Sequence, residues 1–401
     1  MKEIIVLASV LKSVYDVRMY EKMAKSLPKT CQIHLVGSQM TVANLQANNK
    51  ETNYFFHALA NFHRLSWRRL FFGFAFLNLI CKLKPTILLV NTFEILPFAI
   101  FYTHVYSKFL LYAKKIDKPA KLFYDVRENY FQNIAYQPTY AQGLRLVLAY
   151  SVRFFENMSK YFVHGFILAE QCYAKELEFV QKNFVVLENK YKENAEENEN
   201  NYAQTKVYDT DREVLHFVHT GTISVGYGTR EAIEFVKNLH KSGIKVHLVL
   251  VGFCSDKAYF IALQAAMFGY ESLFSFHVST NKPVPHAEIV ASFAGASAAL
   301  LPYHINKSNE NRIPTKFYEY IFHHIPIIIP SNTVWQEFCA AYHCCFITDF
   351  QGLTTENILQ NFYEPFCKQV FYGQKFDKET LLWGGNEARR LCTFLGLQKE
   401  S

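Results

Sequence analysis

Apolar residues along this chain fall into short runs separated by stretches with helical spacing. Through the first half, runs at residues 4–9, 33–37, 87–91, 122–125, 165–168 and 184–187 carry the aliphatic and aromatic side chains of strands buried on both faces. Helical patterns fill the gaps, most clearly over 16–27 and 67–82. Such alternation builds a parallel sheet covered on both sides, because each crossover must return across the sheet before the next strand begins.

The pattern then breaks. Between residues 189 and 212 the sequence reads NKYKENAEENENNYAQTKVYDTDR, which is rich in Asn, Glu and Lys and nearly devoid of aliphatic side chains. A segment of this kind buries too little apolar area to offset its ordering entropy, which marks a linker. Alternation restarts with strands at 215–220, 246–251, 273–277, 298–301 and 327–330, and helices at 228–241, 256–268, from 285, and at 316–323. The expected organisation is therefore an N-terminal domain at 1–190, a polar linker at 191–212, a C-terminal domain at 213–375, and a C-terminal helix within 376–401 that packs back toward the first domain. The fold class this predicts is α/β, with two Rossmann-like doubly wound domains facing each other across a cleft.

Composition narrows the function more than the fold. The 401 residues are ample for two cores, and 50% are apolar, with 37 Phe and 25 Tyr. The charge of +7, from 42 basic and 35 acidic residues, suits an anionic ligand but is too weak to argue for nucleic acid. Nine cysteines are scattered without a C-x-x-C pair, so reduced thiols in the cytoplasm and no metal site are expected. The apolar runs at 70–81 and 97–112 are too short or too interrupted to span a bilayer, and the opening MKEIIVLASVLKS reads as a first strand.

Candidate chemistry concentrates in LLPYHINKSNENRIPTKFYEYIFHHIPIIIP. Pro314 and Thr315 open a helix, on which Phe317, Tyr320 and Ile321 point to the core while Lys316 and Glu319 share another face. Free amides and partial positive charge at a helix start can hold a diphosphate, with Lys316 as an added cation and Glu319 as acceptor for a ribose diol. The alternative is a surface ion pair worth only about 0.2–0.5 kcal/mol. In HFVHTGTISVGYGTREAIEF, a strand ends in Thr220 and Gly221, and a loop with Gly226 and Gly228 feeds a helix. Small residues there let backbone amides approach a phosphate, although glycine at such a turn also has purely conformational reasons.

These motifs give the C-terminal half a clear resemblance to the retaining glycosyltransferases of family 4, also called group 1, which have the GT-B fold. The PTKFYEY helix before the PIIIP strand is similar to the family's helix carrying a Lys and a Glu. The resemblance implies that Glu319 binds the nucleotide ribose and that Lys316 lies by the diphosphate. HTGTISVGYGTREA looks like the loop opening the donor domain, which implies that Thr220, Gly221, Thr222 and Gly228 lie near the phosphates. Gly252 and Phe253 in LVLVGF, and Val278 in FHV, match places flanking the nucleobase. In the first half, VLKSVYDVRMYEKMAKSL, with Asp16 and Arg18, and FYDVRENY, with Asp125 and Glu128, resemble family segments, as does FVVLENKY before the linker. Asp125 and Glu128 read either as groups orienting an acceptor hydroxyl or as structural ion-pairing residues.

The sequence departs from the family at two places. Eight residues before Glu319, where the family carries a first glutamate, stands Asn311, which can still hydrogen-bond a sugar hydroxyl. The usual Arg and Lys after the first donor-domain strand are missing; Arg230 is the nearest base, and Arg312 is the expected substitute. The resemblance implies transfer of a hexose from a nucleotide-diphosphate sugar to a glycan or lipid-linked acceptor in surface polysaccharide or glycoconjugate synthesis, with retention and without a cofactor or metal. The departing diphosphate takes the acceptor proton. Another GT-B enzyme such as a sugar-nucleotide epimerase, or a non-catalytic GT-B partner module, is the competing reading. Residues 61–84, with Arg64, Arg68, Arg69, Lys82 and Lys84 beside Phe62, Trp67, Phe71, Phe72 and Phe76, read either as a peripheral contact with an anionic membrane or as an amphipathic helix packed on the first sheet.

Overall fold

The computed structural model describes residues 3–38, 53–60, 66, 69–136, 142–180, 183–193 and 214–397. Two compact units divide the chain: the first runs to Lys192 and resumes at Trp383, and the second spans Glu193–Leu382. Most of the expected linker, 194–212, lies outside the described residues.

The first unit is built on a sheet of seven parallel strands. In chain order these are β1 (Ile4–Ser13), β2 (Gln32–Ser38), β3 (Tyr54–Ala60), β4 (Ile87–Val90), β5 (Lys121–Val126), β6 (Gly165–Leu168) and β7 (Phe184–Val186). They lie side by side as β3-β2-β1-β4-β5-β6-β7. A wide helical turn α1 (Val17–Met23) follows β1, its start capped by the Asp16 carboxylate accepting from the Met19 amide. Then come α2 (Arg69–Leu83), α3 (Leu96–Phe101), α4 (Ser107–Tyr112), α5 (Tyr130–Tyr136), α6 (Gln142–Ser159) and α7 (Tyr173–Glu176). The pattern at 16–27 predicts one regular helix, but the structure has α1 and a single tight turn at Ala24–Ser26. Strand β3 was not legible as a strand, because YFFHALA lacks β-branched residues and alternates poorly.

Helix α2 puts Phe72 and Phe76 into the core beneath it, with Arg69 paired to Glu94. These residues of the 61–84 stretch therefore serve packing; Phe62, Arg64, Trp67 and Arg68 lie outside the described residues. No described helix is long and apolar enough to cross a membrane.

The second unit repeats the plan with β8 (Leu215–Thr222), β9 (Val246–Phe253), β10 (Phe274–Ser279), β11 (Ala298–Leu300), β12 (Ile327–Ile329) and β13 (Cys345–Ile347). All pairings are parallel, in the order β10-β9-β8-β11-β12-β13. Its helices are α8 (Thr229–Lys241), α9 (Lys257–Met267), α10 (His286–Ala291), α11 (Thr315–Phe322), α12 (Thr333–Ala340) and α13 (Glu364–Lys368). Ala232, Ile233, Val236 and Leu239 recur at helical spacing on the buried side of α8. The sequence pattern does not announce β13, CFI, which has a single β-branched residue where the equally short edge strand β7, FVV, has two.

The last helix, α14 (Gly385–Leu395), belongs to the first unit, where Leu391 and Leu395 join the core formed by β1, β2 and α1. Trp383, fully enclosed, donates its indole N–H to the Lys22 carbonyl at 3.0 Å, and Lys190 pairs with Glu387 at 2.7 Å. Burying a side chain as large as that indole contributes on the order of 2–3 kcal/mol, enough to hold a short helix that would not persist alone.

Candidate functional site

In the second unit the strand order reverses direction between β8 and β11: β9 and β10 lie on one side of this pair, β12 and β13 on the other. Open parallel sheets bind ligands at such a switch point, beyond the carboxyl ends of the strands, because the loops there diverge and leave a crevice. The candidate residues at 220–222, 252–253 and 278 fall at these ends. Register aligns Gly221 with Gly252 and Gly252 with Val278 across three strands, and Thr222 with Phe253. A side chain on Gly252 would meet the Gly221 carbonyl oxygen at 2.0 Å, so glycine is required for the two strand ends to lie so close.

The β8 loop is fastened to the loop after β11. Gly228 has φ +67° and sits against the Pro302 carbonyl, which a Cβ would approach to 1.8 Å. The His304 amide donates to the Gly226 carbonyl at 3.0 Å, and the His304 ring bonds Glu231 at 2.7 Å. Below them His219 is enclosed between the Leu300 carbonyl and the Thr229 hydroxyl; burial lowers its pKa to about 4, so it stays neutral.

Helix α11 begins beside this glycine row. Pro314 precedes it, and its side chain makes no capping bond to the first turn. Phe317, Tyr320 and Ile321 are fully buried, as their spacing predicts, and Trp335 packs edge-on to Phe317 while its N–H bonds the Arg312 carbonyl at 2.7 Å. The Tyr320 hydroxyl lies 2.8 Å from that of Thr220, so the Thr220 side chain is engaged toward the helix. Lys316 crosses the strand end: a Cβ on Gly221, which has φ +102°, would stand 3.0 Å from its Cε. The glycine thus makes room for the lysine.

Glu319 is buried and engaged on both oxygens, by Lys316 on one and by the His286 ring at 2.7 Å on the other. Burial alone would raise the carboxyl pKa, but the Lys316 charge and the two hydrogen bonds outweigh it and bring the pKa down to about 2. The Lys316 ammonium also stands 5.7 Å from the centre of the Tyr320 ring. His286 was not singled out from the sequence, for it lies 33 residues before Glu319 and no local spacing links them. Asn311 and Thr315 are exposed, and Arg312, Pro314, Phe253 and Val278 are half-buried.

Asp125 and Glu128 belong to the first unit, at and just past the end of β5. Asp125 is buried, held by Arg18 at 2.8 Å and by Arg127 at 2.8 Å, and Arg127 reaches on to Asp16 at 2.7 Å. Burial raises the Asp125 carboxyl and the two guanidiniums more than reverse this, leaving it below the ordinary carboxylate range. Of its two readings, this geometry is that of a structural ion-paired group. Glu128 is half-buried and accepts from the Asn133 amide at 2.8 Å.

The sequence matches no protein-family model and no curated protein sequence. Solved structures do match over nearly the whole chain. Sucrose-phosphate synthase from Thermosynechococcus elongatus aligns with a TM-score of 0.59 at 10% identity, covering 98% of this chain and 95% of that one. WaaG, a glycosyltransferase involved in lipopolysaccharide biosynthesis, aligns with a TM-score of 0.57 at 12% identity, with the same coverage of 98% and 95%. HepE from Anabaena, solved in complex with UDP and glucose, gives 0.55 at 10% identity, again over 98% and 95%. Two parallel-sheet α/β units in tandem, matched along their length to these proteins, give the chain the GT-B fold.

Proposed function

We propose that this protein is a glycosyltransferase that moves a hexose from a nucleotide-diphosphate sugar to a glycan or lipid-linked acceptor. The observation that carries the reading is Lys316 lying over Gly221 at the switch point, on the same helix face as a buried, ionised Glu319. A diphosphate needs cations and backbone amides, and the start of α11 beside the glycine row offers both. A ribose diol needs an acceptor that stays ionised, which Glu319 is at any physiological pH. A structure of the same fold solved in complex with UDP and glucose supports a nucleotide sugar as donor.

In this reading Lys316 exchanges Glu319 for the diphosphate when the donor binds, and Glu319 turns its freed oxygen to the ribose. Transfer breaks the bond from the sugar's anomeric carbon to the diphosphate oxygen and forms one from that carbon to the acceptor oxygen. The acceptor attacks from the face that the diphosphate leaves and passes its proton to that departing diphosphate, so configuration is retained without an enzyme nucleophile. The protein stabilises the charge that develops on the leaving group. His286 keeps Glu319 in place, and Asn311 and Arg312 meet the hexose.

The test is transfer by Lys316→Ala and Glu319→Ala with the best donor from a thermal-shift panel of UDP-, GDP- and ADP-sugars. Each is expected to lose at least about 100-fold in kcat/KM, given what a charge-assisted contact is worth. Near wild-type turnover by both would end the assignment. Conversion of the donor to another sugar nucleotide in the absence of acceptor would replace transfer by epimerisation.

A further inference from the structure

Successive crossovers from β3 through β6 all step the same way along the first sheet, so α2, α3, α4 and α6 lie on one face of it. The inner side of this layer is an ordinary core, with Phe72, Phe76, Leu96, Ala99 and Tyr102 against the strands. The outer side is not ordinary. Phe101, Val105, Phe109 and Tyr112 recur every three or four residues on the solvent side, with Tyr112 89% exposed. Phe74 of α2, 63% exposed, extends this stripe by its edge contact with Phe98 at 5.0 Å.

Helix α6 turns its larger apolar side chains outward. Its inward side carries Ala149, Val152, Glu156, which accepts from the Tyr124 hydroxyl at 3.0 Å, and Ser159, all buried. Its outward side carries Val147, Tyr150, Phe154 and Met158, between 43% and 64% exposed. The His104 ring meets Phe162, just past α6, at 5.4 Å and links the two stripes. An aromatic side chain has about 200 Å² to offer, so at half exposure the face shows on the order of 1,000 Å² of apolar surface. Patches on monomers usually stay near 300–600 Å².

Charge decides what covers it. Lys108, Lys114 and Lys115 are exposed along and just past α4, and Lys160 directly follows α6. From residue 96 to residue 164 the carboxylates are Asp117, Asp125, Glu128 and Glu156, of which Asp125 and Glu156 are buried. A second copy of the same face would set lysine against lysine. A bilayer with anionic headgroups takes the aromatic side chains at its interface and the lysines at its phosphates.

We propose that the outer face of α3, α4 and α6 seats this protein on an anionic lipid surface, with the aromatic stripes entering the headgroup layer and Lys108, Lys114 and Lys115 on the lipid phosphates. The full chain is sedimented with phosphatidylcholine vesicles, with and without phosphatidylglycerol, at low and high salt. Binding is expected only with phosphatidylglycerol and is weakened by salt. Phe101→Ser combined with Phe109→Ser lowers partitioning at least about tenfold, from the apolar area withdrawn. Lys114→Glu combined with Lys115→Glu lowers it roughly 25-fold or more, at about fivefold per lysine. All four positions are exposed, so an unchanged thermal midpoint certifies the fold of each variant. Equal binding to both vesicle types, or wild-type binding by either double variant, overturns the proposal. So does a dimer in light scattering that the two phenylalanine substitutions dissolve, which would make a second copy the occupant. The assay reads lipid binding alone, so its failure leaves the sugar-transfer reading standing.

Discussion

Replacing Glu319 by Gln removes a buried charge while leaving the shape of the side chain and an oxygen to accept from Lys316 or His286. The ordinary pKa is 4.5 and the folded one about 2, so the folded state takes up this proton less readily than the unfolded chain. A difference of about 2.5 units corresponds to about 3 kcal/mol of stability from the ionised carboxylate at neutral pH. Because the folded pKa is depressed, that contribution is complete above pH 4.5 and is lost as the pH falls toward 2. At pH 3 roughly 1.4 kcal/mol of it remains. The gap in stability between wild type and Glu319→Gln should therefore narrow by about 2 kcal/mol between pH 7 and pH 3. Urea unfolding of the full chain, followed by hydrogen exchange of the 315–322 peptide, reads this gap in the unit that holds Glu319. A gap of the same size at both pH values would refute the view that Lys316 and His286 hold an ionised carboxylate here.

Gly228→Ala should cost on the order of 2–4 kcal/mol, since a Cβ meets the Pro302 carbonyl at a positive φ; the thermal midpoint checks it. Asp125→Asn should destabilise the first unit by about 3–5 kcal/mol, because Arg18 and Arg127 lose the charge that compensates their burial. A variant of unchanged stability but lost transfer would instead make Asp125 catalytic. His219, with a pKa lowered from 6.5 to about 4, should take stability away as the pH falls from 6.5 toward 4, and His219→Gln should flatten that part of the pH–stability curve.

The alternation of strands and helices was legible because period and composition are local properties, and parallel order with right-handed crossovers leaves few ways to arrange them. That is why the doubly wound class could be read, and why the core side of α11, with Phe317, Tyr320 and Ile321, was correctly foreseen. Two edge strands, β3 and β13, were the exception: YFFHALA and CFI hold at most one β-branched residue, whereas the equally short edge strand β7, FVV, has two and could be read. Asp125 was ambiguous for a related reason: a carboxylate at a strand end looks the same in sequence whether it faces a substrate or two arginines drawn from distant positions.

What the sequence alone determined, then, is the succession of elements, the class of fold they make, and the pairing of Lys316 with Glu319 three residues apart on one helix. Only the tertiary structure decided that Gly221, Gly252 and Val278 form one row, that His286 completes the environment of Glu319, and that α6 turns a carboxylate inward and its aromatic side chains to the surface. The physical reason is range. Helical and strand periodicity is written by neighbours a few residues apart, whereas register, burial and charge pairing depend on which distant segments the sheet brings together.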